Sequence, residues 1–147
     1  MKISVNCKLD NQGVYDFLRP LADLDTISHL YIFRDSCGYK YEKLYYHSPK
    51  YNKNTIITQL SKVILMVRHM PKDTKICLGI YELPHGLIAY LIGKFWRIPV
   101  VISIISNPGY TVIRKGLRKK ISNFMYKRCS AIIVTGTKSK NFLIQNG

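Results

Sequence analysis

Apolar and polar positions alternate along this chain in two rhythms. The runs KISVNC (2–7), SHLYIFRD (28–35), TKICLGIY (74–81), PVVISIIS (99–106) and AIIVTG (131–136) are short, apolar and rich in β-branched residues, as strands are. KLYYHS (43–48) reads as a further, shorter strand. Between them apolar residues recur at helical spacing. GVYDFLRPLADL (13–24) is predicted helical with a break at Pro20. NTIITQLSKVILMVRHM (54–70) gives the clearest helix: Asn54 caps it, Pro71 ends it, and Ile56, Leu60, Val63, Ile64 and Val67 share one apolar face. LPHGLIAYLIGKFW (83–96) carries Pro84 near its first turn, a favoured position, and SKNFLIQNG (139–147) begins a last helix. The unbroken apolar run of PVVISIIS predicts a central parallel strand covered on both faces.

Strands separated by helical stretches imply βαβ units. The expected fold is α/β, a Rossmann-like parallel sheet with helices on both faces. The 147 residues suit a single domain, 1–147. Ligands of such sheets bind beyond the carboxyl ends of the strands. Four loops lie there: Lys8–Gly13, Tyr81–Gly86, Ser106–Tyr110 and Thr135–Ser139. In SNPGY, Asn107 and Gly109 suit a tight turn ahead of helix N–H groups that can hold an anion. In TGTKS, Thr135, Thr137 and Ser139 either touch phosphate or sugar or simply cap a helix. Neither GxGxxG nor GxxxxGK[ST] is present, so the chain carries no nucleotide fingerprint and no cofactor is expected.

Cys7, Cys37, Cys77 and Cys129 form no CxxC pair, which argues against a zinc cluster. Cys7 and Cys77 fall in strands and are expected as buried thiols, in a reducing compartment. Met1 leads straight into a strand without a signal-peptide core, so a cytoplasmic location is expected. The most apolar run, LIAYLIGKFWRIPVVISII, is interrupted by Lys94, Arg97 and Pro99 and does not read as a spanning helix.

Charge changes the picture. The net charge is +15, and all eight carboxylates lie at or before Glu82. Residues 1–82 hold twelve basic groups against those eight acids, a net of +4, whereas residues 83–147 hold eleven basic groups and no acid. Seven of the eleven fall in YTVIRKGLRKKISNFMYKRC (110–129). Like charges at helical spacing repel, so the negative partner is expected outside the helix. Ile113, Leu117, Ile121, Phe124 and Met125 are predicted to pack inward, leaving Arg114, Lys115, Arg118 and Lys119 outward as a membrane- or anion-binding surface. Such a field attracts nucleic acid, an anionic bilayer or a phosphorylated substrate. A basic nucleic-acid-binding module is the alternative class. The tyrosines of YKYEKLYYHSPKY (39–51) suit base stacking or a plain strand edge, but no helix-turn-helix, RNP-like or zinc-knuckle pattern is present, and nucleic acid is not the expected partner.

From YELPHGLIAYLIGKFWRIPVVISIISNPGY through the basic segment to CSAIIVTGTKSKNFLIQNG, the chain resembles the N-terminal half of family 4 glycosyltransferases, which have the GT-B fold. Gly93, Lys94 and Pro99 match the family's helix end, and SAIIVTGTKSKNF matches its following strand and turn. The resemblance covers 75–147 by motif and 1–74 by element order. It implies the acceptor-binding domain of a nucleotide-sugar-dependent transferase. The implied acceptor is a lipid-linked or cell-envelope glycan at the inner face of the cell membrane. The donor would be held by a C-terminal domain or a separate subunit, and the chain alone is expected to be inactive. The family's donor site carries two glutamates spaced E-x7-E, and neither Glu42 nor Glu82 fits that part. Retaining members are thought to use the donor phosphate as base, so no catalytic residue is assigned here. The sequence is expected to represent a fragment, one subunit of a split enzyme or a remnant.

The acceptor-binding candidates are Gly13, Glu82, His85, Ser106, Asn107, Gly109, Thr135, Thr137 and Ser139. Glu82 either orients an acceptor hydroxyl or pairs with a nearby Lys or Arg. His85 is either an acceptor contact or a solvated helix-start histidine, His29 reads as structural, and His47 and His69 read as surface residues. The family's glycines after the first strand are reduced to Gly13, and its usual histidine after the strand VVISIIS is replaced by Ile105 or Ser106.

Overall fold

A computed structural model of the chain describes residues 1–36, 38, 40–49, 55–105 and 116–146. In chain order these form β1 (Lys2–Asn6), α1 (Asn11–Ala22), β2 (His29–Phe33), β3 (Leu44–His47), α2 (Thr55–His69), β4 (Thr74–Ile80), α3 (Leu87–Trp96), β5 (Val100–Ile104), α4 (Leu117–Tyr126), β6 (Ala131–Val134) and α5 (Thr137–Asn146). The six strands make one all-parallel sheet in the order β3-β2-β1-β4-β5-β6. The fold is the Rossmann-like α/β class expected from the strand–helix alternation. From β1 the chain winds outward through β2 and β3, then crosses to β4 and winds the other way. The crossover opens a crevice beyond the carboxyl ends of β1 and β4, where such sheets bind ligands.

Strand periodicity distributes the core to two faces. Ile3, Val5, Leu30, Ile32, Leu78 and Ile80 pack with Val14, Leu18 and Ala22 of α1. On the opposite face Phe33 and Cys77 meet Met66 of α2 and Ile88, Ala89 and Ile92 of α3. Val100, Ile102 and Ile104 of β5 join Tyr90 and Met125 there. Val101 and Ser103 on the other side of β5 are half-buried, so this strand is fully covered on one face rather than two. The cluster beneath α1 takes in Val101 only at its margin.

Helices α1, α2 and α4 depart from expectation. α1 starts two residues early, because Asp10 accepts a 2.7 Å hydrogen bond from the Gly13 N–H and caps it. It also runs through Pro20 without breaking, held by Val14, Leu18 and Ala22 in the core. α2 faces the other way round from its predicted stripe. Thr58, Lys62 and Met66 are buried, whereas Ile56 (72% exposed), Leu60 (59%), Ile64 and Val67 face out. In α4, Ser122 and Met125 are buried beside half-buried Ile121. Leu117 is 71% exposed, and Phe124 is not core: it lies edge-on to Tyr90, with the Arg128 guanidinium 4.1 Å above its ring. The Asn54 cap and Ile113 lie outside the described residues.

Candidate functional site

The crevice is shaped by an irregular turn. β4 ends at Ile80, and Tyr81 follows with φ 69° and ψ 152°, a conformation L-residues rarely adopt. Its N–H donates to the Ser103 carbonyl at 2.8 Å, and its carbonyl accepts from the Gly86 N–H at 2.8 Å. That bond spans five residues, so Glu82–Gly86 forms a wide turn ahead of α3, of a kind frequent at functional sites. Two glycines let the turn lie on the sheet. A Cβ on Gly79 would stand 2.6 Å from Gly86 Cα, and one on Gly86 would stand 2.8 Å from the Tyr81 carbonyl oxygen. The helix predicted over 83–96 therefore begins at Leu87, and Leu83 is extended.

This turn carries Glu82 and His85 into the protein. Glu82 is buried and accepts a 3.0 Å hydrogen bond from the Tyr126 hydroxyl of α4. Its partner is thus a tyrosine, rather than the lysine or arginine weighed from sequence. Burial first, and the Glu82 charge second, push the Tyr126 phenol well above its ordinary range. His85 is only 2% exposed, which overturns the solvated helix-start reading. Its carbonyl accepts from Asn6 Nδ2 at 3.2 Å, while its Nδ1 has no hydrogen-bond partner among the described residues. Burial, reinforced by the nearby Lys62 charge, lowers its pKa to about 4, so the imidazole is neutral at physiological pH. A neutral imidazole both donates and accepts hydrogen bonds, which suits it to hold a hydroxyl.

A second polar group lies close by. Lys62 of α2 is fully buried, with Nζ 2.5 Å from Asp35 Oδ1 and 3.2 Å from the Cys7 carbonyl oxygen. Burial lowers its pKa although the Asp35 hydrogen bond and charge oppose the shift. Buried Arg34 donates to Asn11 Oδ1 at 3.0 Å and to Ser36 Oγ at 3.1 Å, tying the loops after β1 and β2 together. Sequence reasoning missed both residues. The available signal was a lysine within TQLSKVILM, an otherwise apolar helical stretch.

Above this floor lies an open groove of about 940 Å³. One wall is Ile56, Leu60 and Val63 of α2, and the other is Leu83 with Leu87 and Leu91 of α3. Lys8, Glu82, His85 and Arg118 supply its charged and imidazole groups, and Thr55, Gln59 and Tyr81 also line it. Three sequence candidates therefore meet: Glu82, His85 and Arg118. The others described do not join them. The Gly13 N–H is committed to the Asp10 cap. Thr135 donates to the Ile105 carbonyl at 3.1 Å, Thr137 is exposed at the start of α5, and Ser139 is buried within that helix. Lys119 is exposed next to Arg118 but does not line the groove. Ser106, Asn107, Gly109, Arg114 and Lys115 lie outside the described residues.

The remaining histidines build a ladder across β2 and β3. His29 stacks near Tyr31, and His47 lies 5.0 Å from the Phe33 ring and 4.8 Å from the His69 ring. His47 is half-buried rather than a surface residue, because α2 brings His69 over it. Burial and the neighbouring His69 lower its pKa. Cys7 and Cys77 are buried thiols as expected; burial raises both pKa values, that of Cys77 to about 12. Among the described residues, no group of three or more His, Cys, Asp or Glu is placed to hold a metal ion, and no helix is long and apolar enough to cross a membrane. Compared with known families and curated proteins, the chain matches no family model and no curated sequence.

Proposed function

We propose that this chain is the acceptor-binding domain of a nucleotide-sugar-dependent glycosyltransferase acting on a lipid-linked or cell-envelope glycan at the cytoplasmic membrane surface. In this reading it works with a donor-binding domain in the same protein or in a partner. One observation carries the reading: Glu82 and an uncharged, buried His85 meet at the crossover of a 3-2-1-4-5-6 parallel sheet, below a groove open to solvent. A carboxylate and a neutral imidazole lining one groove suit the positioning of an acceptor hydroxyl. The resemblance of residues 75–147 to family 4 transferases supports the same assignment. Exposed Arg118, Lys119 and Lys120 on α4 supply cations for an anionic membrane surface.

The test is sugar transfer by the protein isolated from its own cells together with whatever donor-binding domain accompanies it. Labelled nucleotide-sugars are offered with a membrane extract as the acceptor source. The expected result is incorporation of label that falls at least about tenfold in His85→Ala and in Glu82→Gln. Transfer unaffected by both substitutions, or no consumption of any nucleotide-sugar, overturns the reading. Tight oligonucleotide binding with a steep salt dependence would point instead to a nucleic-acid module.

A further inference from the structure

Burial normally claims the apolar stripe of a surface helix. Here Ile56, Leu60, Ile64 and Val67 of α2 face out, and so do Leu91 (56% exposed) and Phe95 of α3. The two helices pack against each other, and Ile56 and Leu60 of one and Leu87 and Leu91 of the other line the same groove. Leu60 and Leu91 line the groove, and Ile64 and Phe95, one helical turn further on, extend the two stripes beyond it. A contiguous apolar surface of this kind marks a binding site.

The rest of the lining is not that of a plain protein-docking face. Lys8 and Arg118 belong to the same groove, and among the described residues neither pairs with a carboxylate. His85 lies at the floor, 98% buried, with Nδ1 unpartnered. Apolar walls, two unpaired cations and a polar floor together fit a molecule with an anionic head and a long apolar tail. The groove volume is at the upper end of the small-ligand range.

We infer that the groove between α2 and α3 seats the chain of a phosphorylated lipid, with the phosphate at Lys8 and Arg118 and a hydroxyl of the attached head at His85. This rests on the transferase reading and gives its acceptor a chemical class: an isoprenoid phosphate carrying the sugar or hydroxyl to be extended. The apolar stripes hold the tail, and the cations hold the head over Glu82 and His85.

The test is calorimetric titration of the full chain with farnesyl phosphate below its micelle concentration, beside farnesol and inorganic phosphate. Farnesyl phosphate is expected to bind at least about tenfold more tightly than either fragment, since tail and head each contribute. Arg118→Gln and Lys8→Gln should each weaken it roughly tenfold. The double variant Leu60→Ser/Leu91→Ser should weaken it at least about tenfold while the fold survives, because both side chains are already more than half exposed. Equal binding of inorganic phosphate would reduce the site to an anion site and overturn the inference. So would farnesyl phosphate binding that ignores the double variant, or concentration-dependent self-association that the double variant abolishes without any lipid binding. If farnesyl phosphate fails while sugar transfer to a soluble glycan persists, the lipid seat falls and the transferase reading stands. If farnesyl phosphate binds as expected and no nucleotide-sugar is consumed, the transferase reading falls and the lipid seat stands.

Discussion

Lys62 reaches from the buried side of α2 to place its ammonium 2.5 Å from the Asp35 carboxylate, which follows β2. The same ammonium donates to the Cys7 carbonyl at the end of β1. One side chain therefore ties α2 to the carboxyl ends of two neighbouring strands, under the candidate site. It also accounts for the orientation of α2: the face bearing Lys62 is turned inward, and most of the helix's apolar residues are left to form a groove wall.

Removing one member of a buried ion pair leaves the other without compensation, at a cost of about 3 kcal/mol. Lys62→Met keeps the apolar stem and should lower unfolding free energy by about that amount in urea titration. The double variant Lys62→Met/Asp35→Leu should recover at least half of the loss. A Lys62→Met protein as stable as the parent would mean the pair contributes nothing net.

His85 gives the fold an acid-sensitive element. In the unfolded chain an imidazole protonates near pH 6.5, whereas in the fold His85 protonates only near 4. Between those values the unfolded chain binds more protons, so stability falls as pH falls through the window. The contribution is present above about pH 6.5, and about 3 kcal/mol of it is lost by pH 4. Urea midpoints measured across this range should decline less steeply in His85→Gln than in the parent. Parallel slopes would show that His85 is not the group responsible.

The Gly79–Gly86 contact leaves no room for a methyl group. A Cβ on Gly79 would meet backbone at 2.6 Å and the Ala89 Cβ at 3.0 Å, and backbone cannot swing aside as a long side chain can. Gly79→Ala should cost about 2–3 kcal/mol. It should also weaken any farnesyl phosphate binding at the groove, because the turn that carries Glu82 and His85 must lift from β4. Calorimetric melting and ligand titration on the same variant read both effects.

The Tyr126 hydroxyl of α4 donates a hydrogen bond to Glu82. Tyr126→Phe deletes the donor and leaves a buried carboxylate, so a loss of about 1–3 kcal/mol is expected in urea titration. The loss should shrink in a Glu82→Gln background, where no charge remains to be left unpaired. Equal losses in both backgrounds would assign the effect to packing of the ring rather than to the hydrogen bond.

The pattern of apolar and polar residues was enough to place six strands and the intervening helices, and hence the parallel α/β class. Strand and helix periodicities are local properties, carried by neighbours in the chain. Glu82 and His85 were legible as loop residues at a strand end for the same reason. Strand order, the face that α2 buries and the burial of His85 were not legible, because each depends on partners far away in sequence. α2 has apolar residues around much of its circumference, so its periodicity pointed to the stripe Ile56–Leu60–Val67. That choice was reversed by one lysine finding a carboxylate 27 positions earlier and a carbonyl 55 positions earlier. Leu117 and Phe124 lay on a valid helical stripe, yet α4 meets the sheet through Ser122 and Met125. Likewise LPHG read as an ordinary helix start, and only the contact between Gly79 and Gly86 shows why the chain makes a wide turn there. Local chemistry selects what each segment becomes, while long-range packing and charge pairing select which way it faces, and the site is made from the second choice.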